Sequence, residues 1–312
     1  MWKKRGLLWQ PNKELWWQQH YGILPTPEYL PELGRIRLYF ATTCAEKYGR
    51  VTYIEVDAND PSRILYEASA PILDVGAVGY FDDCGLNPSC VVDMPDGEKW
   101  LYYIGYQRSV RVPYMLLAGA ARCTPSGWER VQTMPILERT EAEPCIRSAT
   151  TIVRLSDGTY RMWYVAADRW EQMQTGLFAG KLLPNYRIRQ AHSVDGRQWQ
   201  VLDGVAIDYA DDDEFGFGRP WVLHDKRAGV FRMWYSIRRR ERSYRIGYAE
   251  SKDGDVWQRK DEQAGIDVSE SGWDSEMICY PAVVQHGERL YLFYNGNNRS
   301  EEHTSELQSR QY

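Results

Sequence analysis

Four short segments place acids or an arginine just ahead of an apolar run. They are "GYFDDCGLNPS" (79–89), "RTEAEPCIRSA" (139–149), "DDDEFGFGRP" (211–220) and "WDSEMICYP" (273–281). Carboxylates brought close together repel, so one keeps its proton while its neighbour ionises. That is the pair needed to break a glycosidic bond, with one acid protonating the leaving oxygen and the other serving as base or nucleophile. Asp83, Glu143 and Glu276 are the catalytic candidates. Asp82, Asp274 and Asn295 are candidates to hold sugar hydroxyls, Arg147 and Arg219 to tune the acids, and Tyr106 and Trp170 to stack on a sugar ring. Arg238, Arg239, Arg240 and Arg242 put positive charge beside them, which suits a solvated rim or an anionic group such as phosphate or uronate. Structural roles compete at the same positions. Asp82 and Asp83 can cap a turn, Glu143 can pair with Arg147 or Arg219, Glu276 can serve its own unit, and Arg219 is expected buried and ion-paired.

The elements that must position these residues follow from a repeat. "YRIRQAHSVDGRQWQ" begins at Tyr186 and "YRIGYAESKDGDVWQRK" at Tyr244, so the shared Ser-x-Asp-Gly-x-x-Trp places Asp195 and Asp253 a step of 58 apart. An aromatic marker recurs as "RIRLYFA", "KWLYYIGY", "YRMWYVA", "FRMWYSI" and "RLYLFYNG". In the last four copies Tyr103, Tyr164, Tyr235 and Tyr294 align, at steps of 61, 71 and 59. A Gly-bearing turn and another strand-like run precede each of these four markers, and a third strand follows most of them. Helical periodicity is nearly absent. Each unit reads as four antiparallel strands, and five such units are what a five-bladed β-propeller needs. The expected blades are roughly 20–75, 76–137, 138–205, 206–266 and 267–298 of one domain. A stacked solenoid is the rival, but its repeats are usually shorter.

Strand alternation then sorts the loops. The segments entering each first strand and the loops after each second strand share one end, where function is expected. The Ser-x-Asp-Gly-x-x-Trp turns fall at the other end. Asp195 and Asp253 are therefore expected to cap their own turns, with the tryptophans packing between blades.

Composition sets further bounds. The 312 residues are 43% hydrophobic and 13% aromatic, with 22 Tyr and 13 Trp, which favours a packed core built of strands. A net charge of −5 gives no basic face for nucleic acid. No run approaches a membrane span, the apolar start Gly6–Trp9 is short for a signal segment, and the six cysteines lack paired spacing. The expectation is a cytoplasmic protein with free thiols, a carbohydrate substrate and no obligate protein partner. No cofactor is implied, although an axial channel leaves room for a cation.

At these residues the chain resembles a known group. The order "FDDCGLNPS", "LYYIGY", Glu-Pro, "RMWY", Arg-Pro, "RMWYS", "GWDSEM" and "LYLFYNGN" is similar to the five-bladed propellers of the glycoside hydrolase superfamily, which includes arabinanases, levanases, invertases and β-mannoside phosphorylases. The likeness runs over roughly 20–297 and is nearest to glycosidase-like proteins encoded beside bacterial surface-polysaccharide genes. It implies Asp83 as the second-blade carboxylate and Glu143 as the third-blade general acid. The family's first-blade Asp has no counterpart here. Three readings follow: hydrolysis by the carboxylates, phosphorolysis or glycosyl transfer with phosphate on the arginines, and carbohydrate binding without turnover.

The chain's end breaks the pattern. Residues 299–312, "RSEEHTSELQSRQY", lack alternation and are similar to adapter-derived ends of assembled genes, so they read as a polar tail. The last blade is then expected to lack its third strand and to pair along its edge with 3–10, closing the ring.

Overall fold

The computed structural model describes residues 1–297. The chain is all-β, and its strands fall into successive antiparallel meanders. The first unit holds β1 (His20–Leu30), β2 (Arg35–Thr43), β3 (Gly49–Asp57) and β4 (Ile64–Glu67). The second holds β5 (Gly85–Asp93), β6 (Lys99–Arg108), β7 (Tyr114–Thr124) and β8 (Gly127–Arg130). The third holds β9 (Ile146–Arg154), β10 (Tyr160–Gln172), β11 (Leu182–Ser193) and β12 (Gln200–Val201). The fourth holds β13 (Glu214–Asp225), β14 (Val230–Arg239), β15 (Arg245–Ser251) and β16 (Gln258–Arg259). β17 (Cys279–His286) and β18 (Arg289–Asn295) follow as a hairpin.

Second strands are apolar on both faces because both faces are covered. In β10, Met162, Trp163, Tyr164 and Val165 are all buried. One face meets the second unit around Tyr102 and Trp100, and the other meets the fourth around Met233 and Phe231. Similar clusters join the first unit to the second at Tyr39 and Tyr103, the fourth to the hairpin at Trp221 and Val283, and the hairpin to the first at Val284 and Phe40. The first strands touch in the order β1, β5, β9, β13, β17, and β17 touches β1. Each first strand carries a register shift against its second strand, as between Ile23 and Thr26 in β1 and between Gly218 and Trp221 in β13.

The repeated turn does what its sequence requires. Asp253 Oδ1 accepts the N–H of Asp255 at 2.9 Å and of Val256 at 3.0 Å, and the Ser251 hydroxyl at 2.9 Å. Asp195 repeats this with Arg197, Gln198 and Ser193. Gly254 sits at φ +80°, and its carbonyl accepts the indole N–H of Trp163 at 3.2 Å, from the preceding unit. The Gly196 carbonyl likewise accepts the Tyr102 hydroxyl. Each turn is thus a latch onto the neighbouring unit.

The start of the chain reaches β18 differently from the expectation. Leu8 and Trp9 pack near Tyr291 and Phe293, but no strand forms before His20 and β18 pairs only with β17 among the described residues. Gly6 at φ +99° bends the segment out of the extended form that a ladder needs. Attachment comes from Trp2, whose N–H and indole reach the carbonyls of Gly265 and Ala264, and from Lys4, which pairs with Asp274. The expected tail, 299–312, lies outside the described residues. No helix among them is long and apolar enough to cross a membrane.

Candidate functional site

The aligned tyrosines carry the first clue. In every unit a phenol on the second strand donates to a carboxylate. Tyr39 meets Glu28 at 2.9 Å, Tyr103 meets Asp82 at 3.0 Å, Tyr164 meets Glu143 at 3.0 Å, Tyr235 meets Asp261 at 2.6 Å and Tyr294 meets Asp274 at 2.7 Å. Each acid also has a cation: Lys99 on Glu28, Arg130 on Asp82, Arg147 and Arg189 on Glu143, Arg259 on Asp261, and Lys4 on Asp274. A phenol and a carboxylate drawn out of water both need partners, and the same triad recurs five times.

Three of the carboxylates expected in the site, and Arg147 with them, therefore belong to a repeated clamp. Asp82 is fully buried, and its Oδ2 takes both the Tyr103 hydroxyl and Arg130 Nε at 2.8 Å. Glu143, only 4% exposed, has Arg147 Nε at 2.5 Å on Oε2 and Arg189 Nε at 2.9 Å on Oε1. Of the two partners expected for Glu143, the structure selects Arg147 and not Arg219. Burial, with a further contribution from the Glu143 carboxylate and against the opposing pull of Arg147, pushes the Tyr164 phenol up to about 12. Asp274 is buried, which alone would raise its carboxyl, yet hydrogen bonds from Lys4, Tyr294 and Ser269 hold it below the usual range.

The other expected residues divide. Asp83 is half-buried and accepts the Gly79 N–H at 2.8 Å. Glu276 is exposed, and its backbone is fixed by Asn297 and Arg245. Neither Asp83 nor Glu276 has an ion pair among the described residues. The Tyr106 ring is wedged against Gly49 and Gly85, where a Cβ would come within 2.9 and 2.5 Å of its hydroxyl, and that hydroxyl donates to Lys47 O. Trp170 packs edge-on to Tyr114 at 5.2 Å. Asn295 is buried and staples β18 to β1, accepting from Leu24 N at 2.9 Å and donating to Gly22 O at 2.6 Å. Arg219 is buried as expected but has no carboxylate partner among the described residues. It donates to the carbonyls of Pro25 and Ser89 and to the Thr26 hydroxyl. Of the four arginines expected on the rim, Arg239 is paired with Asp211, Asp213 and Glu214 and Arg240 with Glu171, while Arg238 is buried.

The sequence reading missed a polar cleft at the loop-bearing end, between the third and fourth units. Its volume is about 370 Å³, within the usual range for small-molecule sites. Glu171, Asn185, Tyr209, Asp212 and Arg240 are among the residues that line it. Asn185 Nδ2 donates to Glu171 at 3.1 Å, and the Tyr209 hydroxyl donates to Asn185 Oδ1 at 2.9 Å. Arg187 covers the Tyr209 ring at 3.6 Å. Planar amide, carboxylate and guanidinium groups set side by side can meet vicinal hydroxyls with paired hydrogen bonds. The only sequence signal was that "AADRWEQM", "DDDE" and "IRRRER" would share one end. Among the described residues no group of three or more His, Cys, Asp or Glu is close enough to hold a metal ion.

The architecture is shared with solved glycoside hydrolases of the arabinanase and levanase-invertase propeller type. One glycoside hydrolase superposes with a TM-score of 0.66 at 19% identity, over 88% of this chain and 83% of that one. A thermostable family-43 glycoside hydrolase gives 0.62 at 17%, over 88% and 82%. An endo-arabinase from Bacteroides thetaiotaomicron gives 0.59 at 13%, over 95% and 94%. At these identities the likeness is one of fold. In sequence, the chain is 35% identical over 297 residues to the uncharacterized protein Rv1502 of Mycobacterium tuberculosis, covering 95% of each, and it belongs to that protein's family. No family model matches the chain.

Proposed function

We propose that this protein acts on a glycoside at the loop-bearing end of a closed five-bladed propeller, with blades near the expected bounds 20–75, 76–137, 138–205, 206–266 and 267–298. Closure is supported by the cyclic contact of the first strands and by the Asn295 staple between β18 and β1. The observation that carries the functional reading is the sugar-sized polar cleft between the third and fourth units. In this reading the cleft holds a sugar unit of the substrate, and Asp83 and Glu276 supply the acid and base. They are the expected catalytic carboxylates that no cation among the described residues occupies. Glu143 acts as a positioning residue, since two guanidiniums and a phenol engage its oxygens. The six cysteines are all unbonded, which supports a cytoplasmic location.

One observation favours a second reading, binding without turnover: the third-unit acid is enclosed in a clamp. Phosphorolysis has less support, because Arg147, Arg239 and Arg240 are paired with carboxylates. The test is incubation with a panel of neutral and uronate-containing oligosaccharides, with and without inorganic phosphate, and product analysis by mass spectrometry. The proposal expects new reducing ends that do not depend on phosphate. Phosphate-dependent sugar phosphates would replace it with phosphorolysis. Binding with no product would replace it with the second reading.

A further inference from the structure

Three of the seven non-glycine residues with left-handed backbone among the described residues lie at the loop-bearing end of the first unit: Lys13 at φ 65°, Tyr21 at 62° and Lys47 at 66°. Such backbone is costly and gathers at functional sites. Gln19, next to His20, holds Lys13 in place by donating to its carbonyl at 2.9 Å. The loop 44–48, between β2 and β3, is fixed from the second unit. The Tyr106 hydroxyl donates to Lys47 O at 2.9 Å, and Gly49 N donates to Cys84 O at 3.3 Å. The Arg108 guanidinium donates to Glu46 O and lies over the Tyr48 ring at 5.0 Å. Lys47 and Arg108, from neighbouring units, thus share one patch. That patch adjoins the segment carrying Asp83, since Arg108 N donates to the sulfur of Cys84, the next residue, at 3.4 Å.

The patch is cationic and its charge is not balanced. Lys13, Lys47 and Arg108 have no ion pair among the described residues. The half-buried Lys47 ammonium lies over the Tyr21 ring at 5.6 Å. Burial holds Lys47 below its ordinary value, with the Arg108 charge adding to the effect and the Cys44 thiol opposing it. His20 is lowered as well, by burial first and then by the charges of Lys47 and Lys13. Glu46 is exposed, and its carboxylate is influenced by the Cys44 thiol and Arg50. Elsewhere at this end Arg239 and Arg240 are matched by carboxylates. Cations that repel one another, one of them partly desolvated, are stabilised by an anion between them.

We propose that Lys47 and Arg108 bind an anionic substituent of the substrate, a sugar carboxylate or phosphate, beside Asp83; this rests on the reading that the loop-bearing end acts on a glycoside. An ammonium and a guanidinium give charge-assisted hydrogen bonds to the oxygens of such a group. The patch belongs to the first two units and the polar cleft to the third and fourth. The two therefore serve different sugar units of one acidic oligosaccharide.

The probes are uronate-containing oligosaccharides, the same compounds with their carboxyls reduced to alcohols, and hexose phosphates beside their parent hexoses. Each is titrated into the full chain by calorimetry. The expected result is an acidic compound that binds about tenfold tighter than its neutral counterpart, with the gap narrowing as salt rises. Preference for the uronate or the phosphate identifies which anion the patch takes. Lys47→Met and Arg108→Met each remove about tenfold in affinity for that compound, as loss of one charge-assisted bond requires. Lys226→Met, which removes an exposed cation from the β13–β14 turn at the opposite end, removes none. Should either variant at the patch fail to fold, the comparison of acidic and reduced compounds on the parent decides alone. A panel in which no acidic member outbinds its neutral counterpart overturns the proposal, as does a preference that Lys226→Met weakens as much as Lys47→Met does. New reducing ends from neutral members alone leave the glycoside reading standing while the anionic subsite falls; charge-dependent binding without product does the reverse.

Discussion

Glu143→Gln separates a structural clamp from a proton donor. The substitution keeps the side chain's shape and removes its charge. It leaves Arg147, whose side chain is 5% exposed, and Arg189, at 21%, without their shared carboxylate. Removing one partner of a buried ion pair costs about 3–5 kcal/mol. Arg189 can be partly rehydrated, so the lower figure applies, about 3 kcal/mol. At roughly 2 cal/mol/K per residue over a chain of this length, that is about 5 °C in Tm. Glu276→Gln is the control, since it alters an exposed side chain with no ion pair and should stay within about 0.5 kcal/mol of the parent. The assay is thermal unfolding by calorimetry at pH 7, with turnover measured on the same samples well below Tm. If Glu143→Gln melts within a degree of the parent and yet loses turnover, the clamp argument is wrong and Glu143 is the acid that the family resemblance implied.

Tyr164→Phe removes one hydrogen bond from a carboxylate that keeps both guanidiniums, so it should cost only about 1 kcal/mol, read in the same calorimeter. Asn295→Ala strips two partners from buried backbone groups of β1 and should cost about 2 kcal/mol; hydrogen exchange should rise together in 20–30 and 279–295, and a rise confined to one of them would count against the staple. Asp253 is held at about 2, chiefly by the N–H groups of Val256 and Asp255. Its pKa is depressed on folding, so its stabilisation is present above the unfolded value near 4 and is lost as pH falls toward 2; Asp253→Asn should lower Tm at pH 6 and flatten the fall between pH 4 and 2, whereas a curve parallel to the parent's would contradict the cap. Lys4→Met leaves buried Asp274 with Tyr294 and Ser269, so the acid-side loss of stability should move to higher pH, with a Tm about 2 °C lower at neutral pH.

Much of the fold was legible because the repeat is written in residues with narrow uses. The Ser-x-Asp-Gly-x-x-Trp turns and the doubly apolar second strands specify a unit that must be covered on both sides. The N-terminal segment was legible as a neighbour of β18 but not as a non-strand, because its geometry depends on where Gly6 bends it. The site was harder to read. An acid before a first strand looks the same in sequence whether it faces a substrate or a tyrosine. The deciding signal was the aligned series Tyr103, Tyr164, Tyr235 and Tyr294, whose hydroxyls all had to find acceptors once buried. Arg219 was read as buried, but not that three neutral oxygens from distant units would serve it. The cleft around Asn185 and Tyr209 joins residues from separate units, and local sequence carries no record of that juxtaposition.

The most direct test of the central claim is a crystal structure of the protein soaked with a mixture of neutral and uronate-containing oligosaccharides. The account predicts sugar density at the loop-bearing end, with ring hydroxyls on Glu171, Asn185 or Arg240 in the cleft of about 370 Å³, and with Asp82, Glu143 and Asp274 still in their clamps. Sugar bound at the opposite end beside Asp195 and Asp253, or Glu143 released from Arg147 to face a glycosidic oxygen, would contradict it.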